Sequence, residues 1–223
     1  MAALTRTFLL RESGLVVCEV APATGSGAPV LLLHDLLADH CGPGRLLVRT
    51  AIELAQRGAV VWRGDQAGAG DAYDDGSWLR STFWQAWATD ARTLRDALSQ
   101  HCGGQAVRWT AWGIAAVVAL EAAPAEDALT LVDADLMQGM TYDIGQCVPI
   151  KGGRFHFGGL MLRQRENLWP RERALTRSSL TLVTTRPSPA RELAEALAGP
   201  AVRHVHVDGE LVAALGEIWE DSE

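Results

Sequence analysis

Residues 107–118 constrain the fold of this chain more than any other stretch. An apolar run of β type, residues 107–111, leads to Gly113, then to Ala115 and Ala116, and then to a second apolar run with helical character. A glycine and very small side chains between a strand and a helix are typical of a sharp turn, because the neighbours of such a turn have no room for larger groups. The sequence therefore predicts a strand, a tight turn and a helix here.

The spacing of this stretch matches the Gly-x-Ser-x-Gly motif, in which the central serine stands on the turn and projects into an active site. The five positions hold Gly113, Ile114, Ala115, Ala116 and Val117, so an alanine stands where the nucleophile is expected. A methyl group cannot attack a carbonyl carbon. We therefore interpret Ala115 as a degenerate nucleophile position at an exposed turn, with Ile114 and Ala116 beside it in the same pocket.

Composition limits the classes of protein that remain. A chain of 223 residues with 48% hydrophobic residues fits one domain, residues 1–223. A net charge of −7 argues against a nucleic-acid binder and against a surface that docks on anionic membrane. No apolar run is long enough to span a bilayer, and the first residues lack the pattern of a signal peptide. Four scattered cysteines predict reduced thiols in a cytoplasmic protein.

Short apolar runs alternate with amphipathic helical patterns along most of the chain. The predicted strands include residues 30–33, 59–62, 107–111, 129–132, 180–184 and 202–207, and residues 7–10 and 15–20 form a predicted hairpin. Strands separated by helices predict an α/β fold, with a mostly parallel sheet of seven or eight strands and helices on both faces. Residues 136–178 interrupt this rhythm and hold six glycines and one short strand pattern near 154–157. An insert of this kind is expected to form a small cap over the carboxyl ends of the strands.

The order of these segments resembles that of the α/β-hydrolase superfamily. Within it, the chain is similar to the exosortase A system-associated hydrolases of type 2, through LLLHDLLADH, GRLLVRTAIELAQRGAVVWRGDQAGAGD, WLRSTFWQAWATDARTLRDAL and AWGIAAVVALEAA. The resemblance covers most of residues 28–220 and rests on the order and spacing of the segments together. It implies an α/β-hydrolase-like sheet with an elbow that lacks serine, in a cytoplasmic protein that serves exopolysaccharide production. It implies no particular reaction.

The resemblance also implies where the other catalytic groups would stand, since the triad follows the order serine, acid, histidine. Asp133 and Asp135 follow the strand at 129–132 and are the candidate acids, with turn and helix-cap chemistry as the alternative. No histidine follows His206, so the base is missing from the last loop. His204 and His206 alternate along a strand and are interpreted as solvated or core imidazoles on one face.

His34 and Asp35 follow the strand that precedes the oxyanion-hole loop in the family. Asp35 stands where a glycine is common and would place negative charge beside a site meant to stabilise an oxyanion. The lone pair Gly68 and Gly70 does not make a dinucleotide-binding motif, and no metal-ligand spacing is present, so no cofactor is predicted.

Three hypotheses remain open. The first is a catalytically degenerate protein that acts by binding a protein partner, a second copy of itself, or a glycan or acyl ligand. Its predicted contact surface is the tryptophan-bearing stretch 78–87. The second is an esterase or acyl hydrolase that uses other residues, with Asp143, Cys147 and His156 of the insert as candidates. The third is an engineered Ser-to-Ala variant of an active hydrolase.

Overall fold

The computed structural model contains the predicted alternation of strands and helices. The structure describes residues 3–10, 13–33, 43–65, 83–113, 115–133, 140–143, 148–150, 154–156, 161–164, 179–185 and 202–221. The strands defined in these residues are β1 Ala3–Leu10, β2 Leu15–Pro22, β3 Ala28–Leu33, β4 Ala59–Gly64, β5 Arg108–Trp112, β6 Leu129–Val132, β7 Met140–Asp143, β8 Val148–Ile150, β9 Arg154–His156, β10 Met161–Gln164, β11 Leu180–Thr184 and β12 Val202–His206. The helices defined in the same residues are α1 Pro43–Gln56, α2 Phe83–His101, α3 Ala115–Ala122 and α4 Leu211–Glu220.

Eight strands form one sheet, in the order β1-β2-β4-β3-β5-β6-β11-β12. β1 and β2 form the predicted antiparallel hairpin, β2 runs antiparallel to β4, and the remaining neighbours are parallel. The predicted fold class, a mostly parallel sheet with helices on both faces, is confirmed. β5 lies between β3 and β6, well inside the sheet, so the turn that follows it opens at the centre of the carboxyl edge.

The central strands are apolar on both faces because helices cover both. Along β3, Leu31 and Leu33 join the core on the face of α2 and α3, whereas Val30 and Leu32 join the core on the face of α1 and α4. All four side chains are fully buried. This pattern explains why the strands appear in the sequence as continuous apolar runs rather than as an alternation of apolar and polar residues.

α2 packs closely against β4 because Gly64 has no side chain. A Cβ atom added at Gly64 would overlap the side chain of Leu94, which is itself fully buried. In an interior packed this tightly, even one added methyl group forces the neighbouring atoms to move. The glycine at the end of β4 is therefore required by the position of α2.

A buried ion pair joins Arg95 of α2 to Asp127, two residues before β6. Asp127 is fully buried and accepts hydrogen bonds from Arg95 Nε and Nη2, both at 2.9 Å. Its carboxylate also accepts from Trp109 Nε1 at 2.9 Å and from the Val107 amide at 3.3 Å. These four donors satisfy all the acceptor sites of the carboxylate. A buried charge is tolerated when it is paired and hydrogen-bonded in this way.

The described residues of the insert form two small antiparallel pairings. β7 pairs with β10, and β8 pairs with β9. β9 confirms the strand that the sequence predicts near 154–157. The function of the insert as a cap stays a prediction.

Candidate functional site

The turn between β5 and α3 lies at the centre of the carboxyl edge of the sheet, where parallel α/β folds place their ligands. β5 ends at Trp112 and α3 begins at Ala115. Gly113 stands between them with φ +53° and donates its amide to Val132 O at 3.0 Å. This left-handed backbone favours glycine because an L side chain would crowd the following carbonyl. The predicted strand, tight turn and helix are therefore present.

Ala115 does not project from this turn. It is the first residue of α3, and its side chain and that of Ala116 are fully buried in the core on the face of α2 and α3. The expectation of an exposed tip at Ala115 is wrong, because the helix has already begun there and its first turn packs on the sheet. Ile114, the third residue predicted in this pocket, lies outside the described residues.

Asp133, one of the two candidate acids, forms hydrogen bonds that join two strands. It follows β6 with φ +48°, and its amide donates to Val183 O at 2.9 Å. Its carboxylate accepts from the Thr185 amide at 2.8 Å and from the Thr185 hydroxyl at 2.7 Å. The carboxylate thus joins the ends of β6 and β11, in the manner of the turn chemistry named as the alternative. Asp135 lies outside the described residues.

A hydrogen-bonded chain at the ends of β11 and β12 was missed by the sequence analysis. Thr184 Oγ1 lies 3.2 Å from His204 Nε2 and 3.0 Å from His206 Nδ1. His206 Nε2 lies 2.9 Å from Asp208 Oδ1. Because an ionised carboxylate only accepts, neutral His206 holds its proton on Nε2, and the Thr184 hydroxyl donates to Nδ1 and accepts from His204.

The two histidines do share one face of β12, as predicted, but they are not isolated imidazoles. The available signal was the alternation of His204 and His206 followed two residues later by Asp208. The hydroxyl between them comes from the neighbouring strand, and its position depends on the parallel pairing of Thr184 with His206. Sequence spacing alone does not reveal that pairing.

The loop after β12, which has no histidine, holds Glu210. Its carboxylate pairs with Arg49 Nη2 at 3.1 Å on the surface. His34 and Asp35 directly follow β3 in the sequence and lie outside the described residues, as does Cys147. Asp143 ends β7 and His156 ends β9, and the structure describes the backbone of both.

Within the described residues, no three histidine, cysteine, aspartate or glutamate side chains are placed to bind a metal ion. Cys18 and Cys102 are free thiols. Burial raises the pKa of the Cys102 thiol, and the negative charge of Glu19 raises it further. Cys102 therefore lacks the lowered pKa of a reactive cysteine.

The predicted tryptophan surface is not supported at Trp87, which is fully buried against the sheet. Trp78 lies outside the described residues, and only the backbone of Trp84 is described. Among the described helices, none has the length and apolar character needed to cross a membrane.

Solved structures with the same architecture match almost the whole chain. A protein of Thermus thermophilus has a TM-score of 0.65 at 15% identity and covers 100% of this chain and 98% of its own. Est1E from Butyrivibrio proteoclasticus, also solved with ferulic acid bound, has a TM-score of 0.64 at 12% identity over 98% of this chain and 96% of its own. A serine hydrolase without a lid from Xanthomonas campestris has a TM-score of 0.60 at 12% identity over 99% of this chain and 93% of its own.

No protein-family model matches the chain, and no curated protein sequence is significantly similar to it. The structural likenesses are at low sequence identity and therefore establish the fold alone. The chain has the α/β-hydrolase fold, and the chemistry of its site must be argued from its own residues.

Proposed function

We propose that this protein is a catalytically degenerate α/β-hydrolase-like protein that acts by binding, as an accessory component of an exopolysaccharide or exosortase system. The observation that carries the proposal is the turn between β5 and α3. Gly113 holds the left-handed backbone of that turn, and the next described residue, Ala115, is buried in α3. Neither residue offers a hydroxyl or a thiol, so the turn has no nucleophile at either position.

The geometry favours Gly113 over Ala115 as the position of the lost nucleophile. In the motif, the nucleophile stands on the strained turn, and the residues two positions before and after it must be small. Around Gly113 these are Ala111 and Ala115, and both are fully buried. The motif is then Ala111-x-Gly113-x-Ala115, shifted by two residues from the frame that the sequence analysis used.

In the described part of the chain, the other standard members of a triad are engaged elsewhere or missing, and Asp135 lies outside that part. The carboxylate of Asp133 is engaged by Thr185, and no histidine follows His206 in the sequence. Loss of the nucleophile and the base together, with the core retained, is the pattern expected of a fold maintained for binding. The ligand we propose is a glycan or acyl precursor or a protein partner, and the free thiols of Cys18 and Cys102 support a cytoplasmic location.

One observation favours a second candidate function, that of an acyl hydrolase with a non-standard catalytic set. Thr184, His206 and Asp208 have the arrangement of a nucleophile, a base and an orienting acid, at 3.0 Å and 2.9 Å. In such a reaction Thr184 Oγ1 would attack the acyl carbon while its proton passed to His206 Nδ1 and then to the leaving alcohol. Thr184 is only 4% exposed, which denies a substrate access to the hydroxyl and ranks this function second.

Incubation with a fluorophosphonate probe and with a series of p-nitrophenyl esters tests both candidates. For the parent protein we expect no labelling and no turnover above buffer, because loss of the nucleophile in a serine hydrolase removes about six orders of magnitude of rate. An active serine hydrolase provides the positive control for the reagents. Turnover that disappears in Thr184→Val and in His206→Ala would establish the second candidate instead.

The pair Gly113→Ser and Ala115→Ser tests whether a base can act on a serine at either position of the turn. We expect both variants to remain inactive, because serine is a poor nucleophile without a base within reach. An increase of more than about a hundredfold in Gly113→Ser alone would reveal a hidden base. It would support the shifted frame and overturn the proposal of a protein without catalytic groups.

A further inference from the structure

The hydroxyl of Thr184 connects two histidine rings through a single proton. Thr184 is only 4% exposed, and its Oγ1 lies 3.2 Å from His204 Nε2 and 3.0 Å from His206 Nδ1. A hydroxyl has one proton, so it donates to one of these nitrogens and must accept from the other to satisfy both bonds. The protonation states of the two rings are therefore coupled through Thr184.

Asp208 sets the direction of this hydrogen-bonded chain. Its Oδ1 lies 2.9 Å from His206 Nε2, and an ionised carboxylate only accepts, so neutral His206 presents a lone pair at Nδ1. The Thr184 hydroxyl then donates to Nδ1 and accepts from Nε2–H of His204. All three distances lie within the range of roughly 2.6–3.2 Å over which hydrogen-bonded groups exchange protons.

The middle of the chain is buried, whereas both of its ends reach solvent. His204 is exposed, the side chain of His206 is 38% exposed, and that of Asp208 is 88% exposed. Among the described residues, Asp208 is the charged group in contact with either ring. The other charged side chains described at this end of the sheet are paired elsewhere, Arg203 with Asp221 on the other face of β12, Glu210 with Arg49, and Asp133 with Thr185.

We propose that His204, Thr184 and His206 form a proton relay. A proton from solvent binds to Nδ1 of the exposed His204 and makes that ring cationic. Nε2 of His204 then gives its proton to Thr184 Oγ1, while Oγ1 gives its own proton to His206 Nδ1. One N–H and one O–H bond break and one of each forms, and no heavy atom has to move. The positive charge then lies on His206, beside the Asp208 carboxylate that favours it.

The relay has a signature in the tautomer of His204. Before the transfer, neutral His204 carries its proton on Nε2, and after it the neutral ring carries its proton on Nδ1. Two imidazoles without the bridging hydroxyl would not be linked in this way. The relay needs neither a nucleophile nor a ligand at Gly113, so it does not depend on the function proposed for that turn.

Nuclear magnetic resonance of the ring nitrogens and protons of the intact, isotope-labelled protein tests the proposal in a pH titration. His204→Gln and His206→Gln assign the signals. At the upper end of the titration, we expect both rings to be neutral with the proton on Nε2. As the pH falls through the range in which histidine gains a proton, His206 should become cationic first, and His204 should change to the Nδ1–H tautomer in the same step.

Thr184→Val removes the hydroxyl and keeps the branched shape of the side chain. In this variant we expect His204 to keep its tautomer when His206 gains its proton. Thr181→Val is the matched control, because Thr181 lies on the same strand, is 6% exposed and points to the other face of the sheet. The control should titrate as the parent protein does.

Asp208→Asn provides a second variant that leaves the core unchanged, since the Asp208 side chain lies at the surface. Without the negative charge, the first proton should remain on His204 instead of passing to His206. The same order of charging in Asp208→Asn and in the parent would overturn the proposal. So would a parent protein in which His204 keeps one tautomer throughout, or a folded Thr184→Val protein in which that tautomer still follows the charge of His206.

Discussion

At the scale of single residues, the burial of Ala115 determines how much stability a serine at this position would remove. On an exposed turn, a serine in place of Ala115 would have little effect. The side chain is instead fully buried in the first turn of α3. A hydroxyl placed there must either find a partner or remain unsatisfied among apolar groups.

We therefore expect Ala115→Ser to lower the free energy of unfolding by about 1–3 kcal/mol, the cost of a buried unsatisfied hydroxyl. Urea denaturation followed by circular dichroism measures the change. Ala213→Ser on the exposed face of α4 is the control and should cost no more than roughly 0.5 kcal/mol. Equal costs for the two variants would mean that the Ala115 side chain is not buried in solution.

The ion pair between Arg95 and Asp127 provides the second prediction at this scale. Asp127→Ala leaves a guanidinium with 18% side-chain exposure without its buried partner, so we expect a loss of about 3–5 kcal/mol of unfolding free energy. Arg95 also pairs with Asp96, which is 73% exposed, and Asp96→Ala should cost no more than about 1 kcal/mol. Thermal or urea unfolding of both variants checks the contrast, and similar losses would contradict it.

The pH dependence of this pair follows from the direction of the arginine shift. The hydrogen bond to Asp127 raises the pKa of Arg95 above its ordinary value, against the lowering effect of burial. A raised pKa means that the folded state holds the proton more tightly. The contribution of the Arg95 proton to stability is therefore fully present below the ordinary arginine pKa and is lost only as the pH rises through the raised pKa of the folded state.

At the scale of elements, the sequence predicts the strands and helices well and the contacts between them poorly. The apolar runs at 30–33 and 180–184 appear as β3 and β11, because burial on both faces leaves a continuous apolar signal. The sequence pattern does not determine which residue of the motif stands on the turn. Small residues stand at 111, 113, 115 and 116, so two frames of the motif fit the same letters.

The sequence pattern also does not predict the contacts of Asp133 and Thr184. Asp133 reaches Thr185 and Thr184 reaches His206, across 52 and 22 residues of sequence. Such contacts depend on which strands are neighbours and in which register, and that information is distributed over the whole sheet. A polar residue at a strand end therefore indicates the carboxyl edge but not its partner.

Asp133 offers a prediction that separates side-chain from backbone effects. Asp133→Ala removes both bonds to Thr185 and keeps a Cβ at φ +48° without the polar side chain that helps aspartate to adopt this backbone, and we expect it to cost about 2–4 kcal/mol. Asp133→Gly loses the same bonds but tolerates the backbone, so its cost should be about 0.5–1 kcal/mol smaller. Urea denaturation of the two variants measures the difference. A glycine variant less stable than the alanine variant would show that the left-handed backbone is not maintained in solution.

At the scale of the whole molecule, the turn at Gly113 lies at the end of a rigid central strand. β5 carries Gly113 just past its carboxyl end. β3 and β6 flank it, and helices cover both faces of the sheet. Sites placed on a rigid central element keep their geometry better than sites placed on loops.

Stability should therefore decrease from the centre of the sheet to its edges. Residues 31–33 and 109–111 are buried with strand neighbours on both sides, whereas residues 4–7 of β1 are exposed and β1 has β2 as its one neighbour in the sheet. Amide exchange through local opening requires less free energy where fewer buried contacts break. In native-state hydrogen exchange followed by mass spectrometry, we expect the amides of β3 and β5 to exchange only by global unfolding and those of β1 to exchange orders of magnitude faster.

Urea at concentrations below the unfolding transition should accelerate the central amides with the slope of global unfolding and leave the β1 amides almost unchanged. Equal protection of β1 and β5 would mean that another chain covers the exposed hairpin, as the binding function allows, and repeating the measurement at a tenfold lower protein concentration would show whether a second copy provides that cover.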